Sequence, residues 1–144
     1  MYKGEKVRLR EYRREDLETK LRYINDPEVE RLLVSEVPYP ETLAEEEKWF
    51  ESISAYKDTY RFAIEALDGG KYIGECGVCG VDWKNSSAGI SIFIGDRGYW
   101  GKGYGSDAVK ILISFIFNEM NMNKIRLNVY SFNERAMRCY KKCG

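Results

Sequence analysis

The sequence predicts an α+β fold of three layers, in which a mixed, mostly antiparallel sheet lies between helices. Alternating apolar residues at 60–67, 72–81 and 88–94 are joined by short turns, a pattern typical of an antiparallel meander. A glycine loop, an apolar helix and a further strand follow, and this order indicates a right-handed crossover to a parallel neighbour. A chain of 144 residues suits one domain, so we expect a single domain over residues 1–144.

The first forty residues predict one strand and two helices. Val7 and Leu9 alternate with arginines, which is typical of a half-buried strand. A polar amphipathic helix is expected over 14–24. A second, short helix is expected from Asp26, whose side chain can cap it, to residue 33, because the proline that follows Asp26 is favourable at the first helical position.

A third helix is predicted to begin near residue 42, ahead of the meander. Thr42 and Glu45 have the spacing of a capping box, in which the two residues satisfy each other's backbone N–H groups. We expect this helix to bury Leu43, Phe50 and Ile53.

The glycine loop at residues 98–105 is the most informative stretch of the chain. Four glycines separate a strand from an apolar helix that is expected over 106–120. Glycines let the backbone approach a ligand, and the free N–H groups of a helix N-terminus attract anions. A phosphate site is therefore predicted, with Lys102 as a nearby cation, and a plain tight turn is the alternative. The spacing fits neither a P-loop nor a dinucleotide-binding loop.

Two motifs stand in order in the second half of the chain. Residues 100–105 read Trp-Gly-Lys-Gly-Tyr-Gly, and residues 133–144 carry the pattern Asn-x-x-Ala-x-x-x-Tyr-x-x-x-Gly after a strand. Together they resemble the GNAT family of acetyl-CoA-dependent N-acetyltransferases, in the branch of the ribosomal-protein N-terminal and spermidine acetyltransferases. The first family signature usually begins with Gln or Arg, where this chain has Trp100.

The resemblance implies a GNAT-like sheet whose fourth and fifth strands are parallel, central and splayed, with the pantetheine arm of the cofactor in the gap. Family members continue beyond the position of Gly144 with two more strands. On this resemblance we expect the chain to be truncated after its last motif helix, with the C-terminal strands missing.

The implied activity is transfer of an acetyl group from the co-substrate acetyl-CoA to a primary amine, by direct attack in a ternary complex. Residues 26–51 carry nine acidic and two basic residues, and such a field favours a cationic acceptor. We expect a polyamine-like molecule or a protein N-terminus as the acceptor, although solvated surface acids would give the same composition. A non-catalytic CoA-binding module is the alternative function.

The resemblance also implies the site residues. Tyr140 would be the general acid toward the thiolate, because a phenol is protonated at neutral pH. Asn133 would bond to the cofactor, with a helix cap as its alternative role. Backbone N–H groups near Phe93 and Ile94 would stabilise the oxyanion. The complete cofactor set is Ile92, Phe93, Ile94, Trp100, Gly101, Lys102, Gly103, Tyr104, Gly105, Ser106 and Asn133.

The general base is expected to be a carboxylate acting through water, because the chain has no histidine. Glu75, in the predicted strand 72–81 next to the fourth strand, is the leading candidate and Glu36, in a loop, is the second, and either could instead be a surface carboxylate. The strand position at which spermidine acetyltransferases carry an acid is Gly89 here, which weakens a literal polyamine assignment.

The composition argues against nucleic-acid binding, membrane insertion and metal binding. The net charge is zero, so no nucleic-acid partner is expected, and no apolar run approaches the ~20 residues of a membrane span. No metal site is expected at Cys76 and Cys79, because residues three apart point to opposite faces of a strand; Cys139 and Cys143 are expected on a helix. We predict a cytoplasmic location and a possible homodimer.

Overall fold

The computed structural model describes residues 2–29, 40–52 and 60–127. The strands are β1 (Val7–Arg10), β2 (Tyr60–Ala66), β3 (Tyr72–Asp82), β4 (Ser87–Ile94) and β5 (Lys124–Leu127), and the helices are α1 (Leu17–Ile24), α2 (Leu43–Ser52) and α3 (Tyr104–Ser114). A 3-10 turn at Arg14–Asp16 leads into α1, and a π-helical turn at Phe115–Glu119 follows α3. Residues 27–29 are also helical, as the proline pattern predicts.

The five strands form one sheet in the order β1-β2-β3-β4-β5. The first four are antiparallel neighbours, and β4 and β5 are parallel, so the predicted fold class is confirmed. The described β4–β5 pairing runs from Ser87 against Lys124 to Ile90 against Leu127. The predicted splay of these strands lies beyond Leu127, outside the described residues.

A separate apolar cluster covers each face of the sheet. On one face α3 buries Val109 and Leu112 against the sheet. On the other face Ala63 and Tyr72 pack against aromatic side chains of α1 and α2. The result is the expected three-layer arrangement, with α3 on one side and the other two helices on the opposite side. None of the described helices has the length and apolar character that a membrane crossing requires.

The start of α2 follows the sequence prediction, but its buried face does not. The Thr42 arm of the capping box is confirmed, because the backbone N–H of Glu45 donates to Oγ1 of Thr42 over 3.2 Å, while the Glu45 carboxylate accepts from the Thr42 hydroxyl over 3.1 Å. Leu43 is 37% exposed, so its predicted burial is wrong. The buried side chain of the described helix is Glu46, because a lysine of α1 compensates its charge. Phe50 is half-buried, and Ile53 lies outside the described residues.

A bulge in β3 changes which side chains share a face of the sheet. Ile64 of β2 lies opposite Gly74, whereas Glu65 lies opposite Tyr72, so Ile73 is an extra residue in β3. Tyr72 and Glu75 are three residues apart, yet a single hydroxyl, that of Tyr12, contacts both of their side chains. The bulge therefore builds a polar cluster on the face covered by α1 and α2.

Candidate active site

The glycine loop runs from the end of β4 to the first turn of α3. The backbone N–H of Gly95 donates to the carbonyl of Ile73 over 2.7 Å. The side chain of Asp96 then accepts a 2.9 Å hydrogen bond from the N–H of Gly98. Gly103, with a φ of 88°, is the last residue before α3. Only glycine adopts this left-handed conformation without strain, so the loop geometry depends on this position.

The space in front of the loop is open, as a cofactor site requires. A Cβ atom built on Gly101 would meet no atom within 4 Å, and one built on Gly103 would meet only the side chain of Lys6, at 3.4 Å. The first N–H groups of an α-helix have no intrahelical acceptor. The loop and the start of α3 therefore leave room and unsatisfied N–H groups for an anionic group.

Trp100, which replaces the usual Gln or Arg of the signature, closes the loop onto β4. Its indole Nε1 donates a 2.6 Å hydrogen bond to the carbonyl oxygen of Ile94. The rings of Tyr99 and Tyr104 meet edge to face, with centroids 4.8 Å apart. These contacts give the loop a fixed shape between the strand and the helix.

The cations around the loop fall into two groups. Lys71 pairs with Asp96 at 2.6 Å, and Arg97 pairs with Asp26 at 3.0 Å. Lys102 is exposed and has no carboxylate partner among the residues that the structure describes.

Lys6 is a second cation at the loop that sequence reasoning missed. Its Nζ lies 5.3 Å from the ring centroid of Tyr104. Asp107 in the first turn of α3 accepts from the backbone N–H groups of Lys6 and Val7 over 2.9 and 3.0 Å, and so ties β1 to the loop. No local pattern could have found this contact, because Lys6 and Asp107 are 101 residues apart.

Helix α1 supports the loop from the other side. A Cβ atom on Gly95 would overlap the ring of Tyr23, and the Tyr23 hydroxyl donates to the backbone carbonyl of Tyr72 over 2.8 Å. Burial, and to a smaller extent the nearby Asp96 carboxylate, raises the pKa of Tyr23 to about 12. The phenol therefore remains a donor at neutral pH.

Glu75, the predicted base, lies on β3 directly opposite Phe93 of β4. It is 9% exposed, and its Oε1 accepts a 2.6 Å hydrogen bond from the hydroxyl of Tyr12. The Tyr72 hydroxyl lies 2.7 Å from that of Tyr12 and donates to it, because Tyr12 uses its own proton on Glu75. Burial raises the pKa of both phenols, and the nearby Glu75 carboxylate raises it further, so both stay protonated.

Two cations flank this carboxylate. Lys20 places its Nζ 3.6 Å from Oε1, and Arg61 places Nη1 3.4 Å from Oε2 of Glu75. Lys20 is 6% exposed and also lies 3.1 Å from Oε2 of the buried Glu46. That contact is an ion pair rather than a directed hydrogen bond, since Glu46 Oε2 has no partner with hydrogen-bond geometry. The same ammonium stands 3.2 Å from the ring centroid of Trp49.

Comparison with known proteins decides the family. A model of the acetyltransferase (GNAT) domain matches residues 6–144. The chain belongs to the GNAT acetyltransferase family. The family that the sequence motifs predicted is confirmed; as a GNAT domain the chain is an acyltransferase, and its co-substrate is acetyl-CoA.

Individual relatives agree with this assignment. An uncharacterized N-acetyltransferase p20 from Bacillus licheniformis is 29% identical over 136 residues, which are 93% of this chain and 75% of that protein. Against five curated relatives, the share of the relative's length that this chain spans ranges from 28% to 75%.

Solved structures share the fold. The GNAT-family acetyltransferase from Bacillus anthracis superposes with a TM-score of 0.84 at 20% identity, covering 99% of this chain and 81% of that one. Spermidine N-acetyltransferase from Vibrio cholerae, in complex with CoA and spermine, gives 0.82 at 25% identity, covering 96% and 79%.

The structure brings together part of the predicted GNAT site. Ile92, Phe93 and Ile94 are half-buried at the end of β4, and residues 100–106 form the loop and the first turn of α3 that follow. Asn133, Tyr140 and Glu36 lie outside the described residues, as do Cys139 and Cys143. Cys76 is buried and Cys79 half-buried, and both are free thiols. In the described part of the chain, no group of three or more His, Cys, Asp or Glu side chains could hold a metal ion.

The residues around Glu75 were also missed from the sequence, although one of them had a signal. Lys20 shares the buried side of α1 with Leu17 and Ile24, at the spacing of the apolar face. A lysine on such a face needs a compensating partner, so a buried carboxylate could have been expected.

Proposed function

We propose that this chain transfers the acetyl group of acetyl-CoA to a cationic primary amine by direct attack within a ternary complex. The observation that carries the proposal is the open glycine loop at Gly101 and Gly103, directly ahead of a helix whose first N–H groups have no intrahelical acceptor. Acetyl-CoA would enter with its pyrophosphate at this loop, with Lys102 and Lys6 beside it.

The thioester is proposed to lie beside the end of β4. Residues 92–94 would hold the pantetheine arm through their backbone, and N–H groups near Phe93 and Ile94 would stabilise the developing oxyanion. Because Glu75 is the cross-strand neighbour of Phe93, its carboxylate lies on the strand next to this region.

Two proton transfers complete the proposed chemistry. An acceptor amine with a pKa near 10 is mostly protonated at neutral pH, so it must lose a proton before it attacks. Glu75 would take that proton through water, on Oε2, whose neighbour is the half-exposed Arg61 at 3.4 Å. Tyr140 would give a proton to the leaving thiolate, and Asn133 would hold the cofactor.

A cationic acceptor is supported by the surface of α2. Glu45 and Glu47 are exposed on this helix, whereas Glu46 is neutralised by Lys20. The exposed acids give this side of the molecule a negative field. The Vibrio cholerae relative, named as a spermidine N-acetyltransferase and crystallised with spermine, suggests polyamines as the first acceptors to test. A protein N-terminus is the second class.

The test is a thiol-release assay with acetyl-CoA and a panel of amines, namely spermine, spermidine, an aminoglycoside and a peptide with a free N-terminus. We expect release that depends on the amine, with acetylated amine as the product by mass spectrometry. Calorimetric binding of acetyl-CoA without turnover of any amine would contradict the proposal and favour a non-catalytic CoA-binding module.

A cytoplasmic location and a homodimer stay predictions. The free thiols of Cys76 and Cys79 suit a reducing compartment. Cell fractionation tests the location, and analytical ultracentrifugation of the purified chain tests the dimer.

A further inference from the structure

The polar cluster under α1 and α2 contains a buried lysine between two buried carboxylates. Lys20 is 6% exposed, Glu46 is 2% exposed and Glu75 is 9% exposed. Burying a charge is costly unless it is paired, and removing one member of such a group leaves the others uncompensated. The lysine and the two carboxylates therefore depend on one another, because loss of any one leaves a buried charge without full compensation.

The contacts converge on one oxygen of Glu75. Its Oε1 receives the hydroxyl of Tyr12 at 2.6 Å and lies 3.6 Å from Nζ of Lys20. The same Nζ is fixed by Glu46 at 3.1 Å and by the face of Trp49 at 3.2 Å. Lys20 and Tyr12 thus occupy one side of the carboxylate, and its Oε2 faces Arg61 on the other side.

We propose that Lys20 and Tyr12 are positioning residues that fix the carboxylate of Glu75 for proton transfer and compensate its charge in its buried position. This inference rests on the proposed role of Glu75 as the base. A carboxylate accepts a proton from an amine only if it is itself ionised, and burial opposes ionisation. Lys20 supplies the opposing charge from α1, and Tyr12 supplies a donor that stays protonated.

Removing the charge of Lys20 should leave the two carboxylates with less compensating positive charge. Glu46 and Glu75 would then share a buried region with Arg61 as the described cation that remains close, and repulsion between the two carboxylates would favour a proton on one of them. Among the described residues, the ionisable groups in contact with Glu75 are Tyr12 before α1, Lys20 on α1 and Arg61 on β2, and these in turn contact Glu46 on α2 and Tyr72 on β3.

The experiment is the pH dependence of kcat/KM with one fixed amine. In Lys20→Met we expect the acid limb to move to higher pH by about one to three units, the usual effect of an opposite charge at this range. Lys20→Arg should return it toward the wild-type position. Lys48→Met, on the exposed face of α2, should leave it unchanged. If the acid limb instead reports ionisation of the amine acceptor, it will stay at the same pH in every variant, and that result would contradict the inference.

Controls separate positioning from folding. The acetyl-CoA Kd of Lys20→Met should equal that of the wild type, because Lys20 does not line the glycine loop. If Lys20→Met does not fold, Lys20→Met with Glu46→Gln removes one positive and one negative charge together, and we expect a smaller shift in the same direction, because the repulsion from Glu46 is absent. A folded variant whose profile overlays the wild type overturns the inference.

A parallel Glu75→Gln variant separates this inference from the proposed function. Full activity of Glu75→Gln would show that Glu75 is not the base, and the inference would fall with that role. A large loss in Glu75→Gln with an unmoved profile in Lys20→Met would remove the positioning role alone. Tyr12→Phe should move the limb in the same direction by less, because it removes a hydrogen bond and no charge.

Discussion

The indole Nε1 of Trp100 donates a 2.6 Å hydrogen bond to the carbonyl oxygen of Ile94, and this contact closes the glycine loop on the strand that precedes it. Trp100 stands where the family signature usually has Gln or Arg. Trp100 therefore also provides a side-chain N–H at this position, and in this chain that N–H forms the hydrogen bond that holds the loop against β4.

Trp100→Phe should weaken acetyl-CoA binding without unfolding the protein. The change keeps an aromatic ring and removes one neutral hydrogen bond, which contributes about 0.5–1.5 kcal/mol. We expect the Kd from isothermal titration to rise about 2- to 10-fold. Trp83→Phe is the matched control, because Trp83 is 51% exposed in the turn between β3 and β4. Equal Kd values for the two variants would show that this hydrogen bond does not shape the site.

The contribution of Glu41, which precedes α2, to the free energy of unfolding should fall as the pH rises. The hydrogen bond with the Glu46 carboxyl, followed by burial, raises the pKa of Glu41 from its ordinary value of 4.5 to about 7. A group whose pKa is raised on folding stabilises the fold when protonated, so the contribution is complete below about pH 4.5 and is lost as the pH rises through about 7.

Glu41→Gln checks this, because glutamine keeps a donor and cannot ionise. We expect the decrease in Tm between about pH 5 and about pH 8 to be smaller in Glu41→Gln than in the wild type. Glu47→Gln, at an exposed position of α2, should retain the wild-type decrease. The same slope in all three proteins would contradict the raised pKa of Glu41.

Tyr140→Phe tests the proposed acid. The variant keeps the ring and removes the only proton that the side chain can donate, so kcat should fall by ~10²–10⁴ while the acetyl-CoA Kd stays the same. Rate is measured by thiol release and affinity by isothermal titration. Parallel loss of affinity and rate would instead assign Tyr140 a structural role.

Much of the fold could be predicted from local patterns. Strand alternation and turn residues located the meander, and the capping box at Thr42 located α2, because these signals depend on neighbours in sequence. The helix after the glycine loop was predicted over 106–120, whereas α3 begins at Tyr104 and becomes π-helical after Ser114. Helix ends depend on capping and local winding, which apolar spacing does not determine.

The polar cluster around Glu75 could not be predicted, because its contacts join residues far apart in the sequence and because β3 departs from period-two alternation. Period-two alternation places Tyr72 and Glu75 on opposite faces, and the extra residue Ile73 reverses that. Burial of Glu46 instead of Leu43 depends on Lys20, which lies on a different helix. Pairing of this kind is set by how the helices pack on the sheet.

The measurement that tests the central claim most directly compares thiol release from acetyl-CoA, with an amine acceptor, in Gly103→Glu and Gly69→Glu. The two glycines have φ of 88° and 83°, so both variants carry similar backbone strain, but Gly69 lies in the turn between β2 and β3 with nothing within 4 Å of its Cβ position. Gly103→Glu places a carboxylate where the pyrophosphate is proposed to bind. We predict that Gly103→Glu loses amine-dependent release and Gly69→Glu retains it. Equal activity of the two folded variants would contradict the assignment of this loop as the acetyl-CoA site.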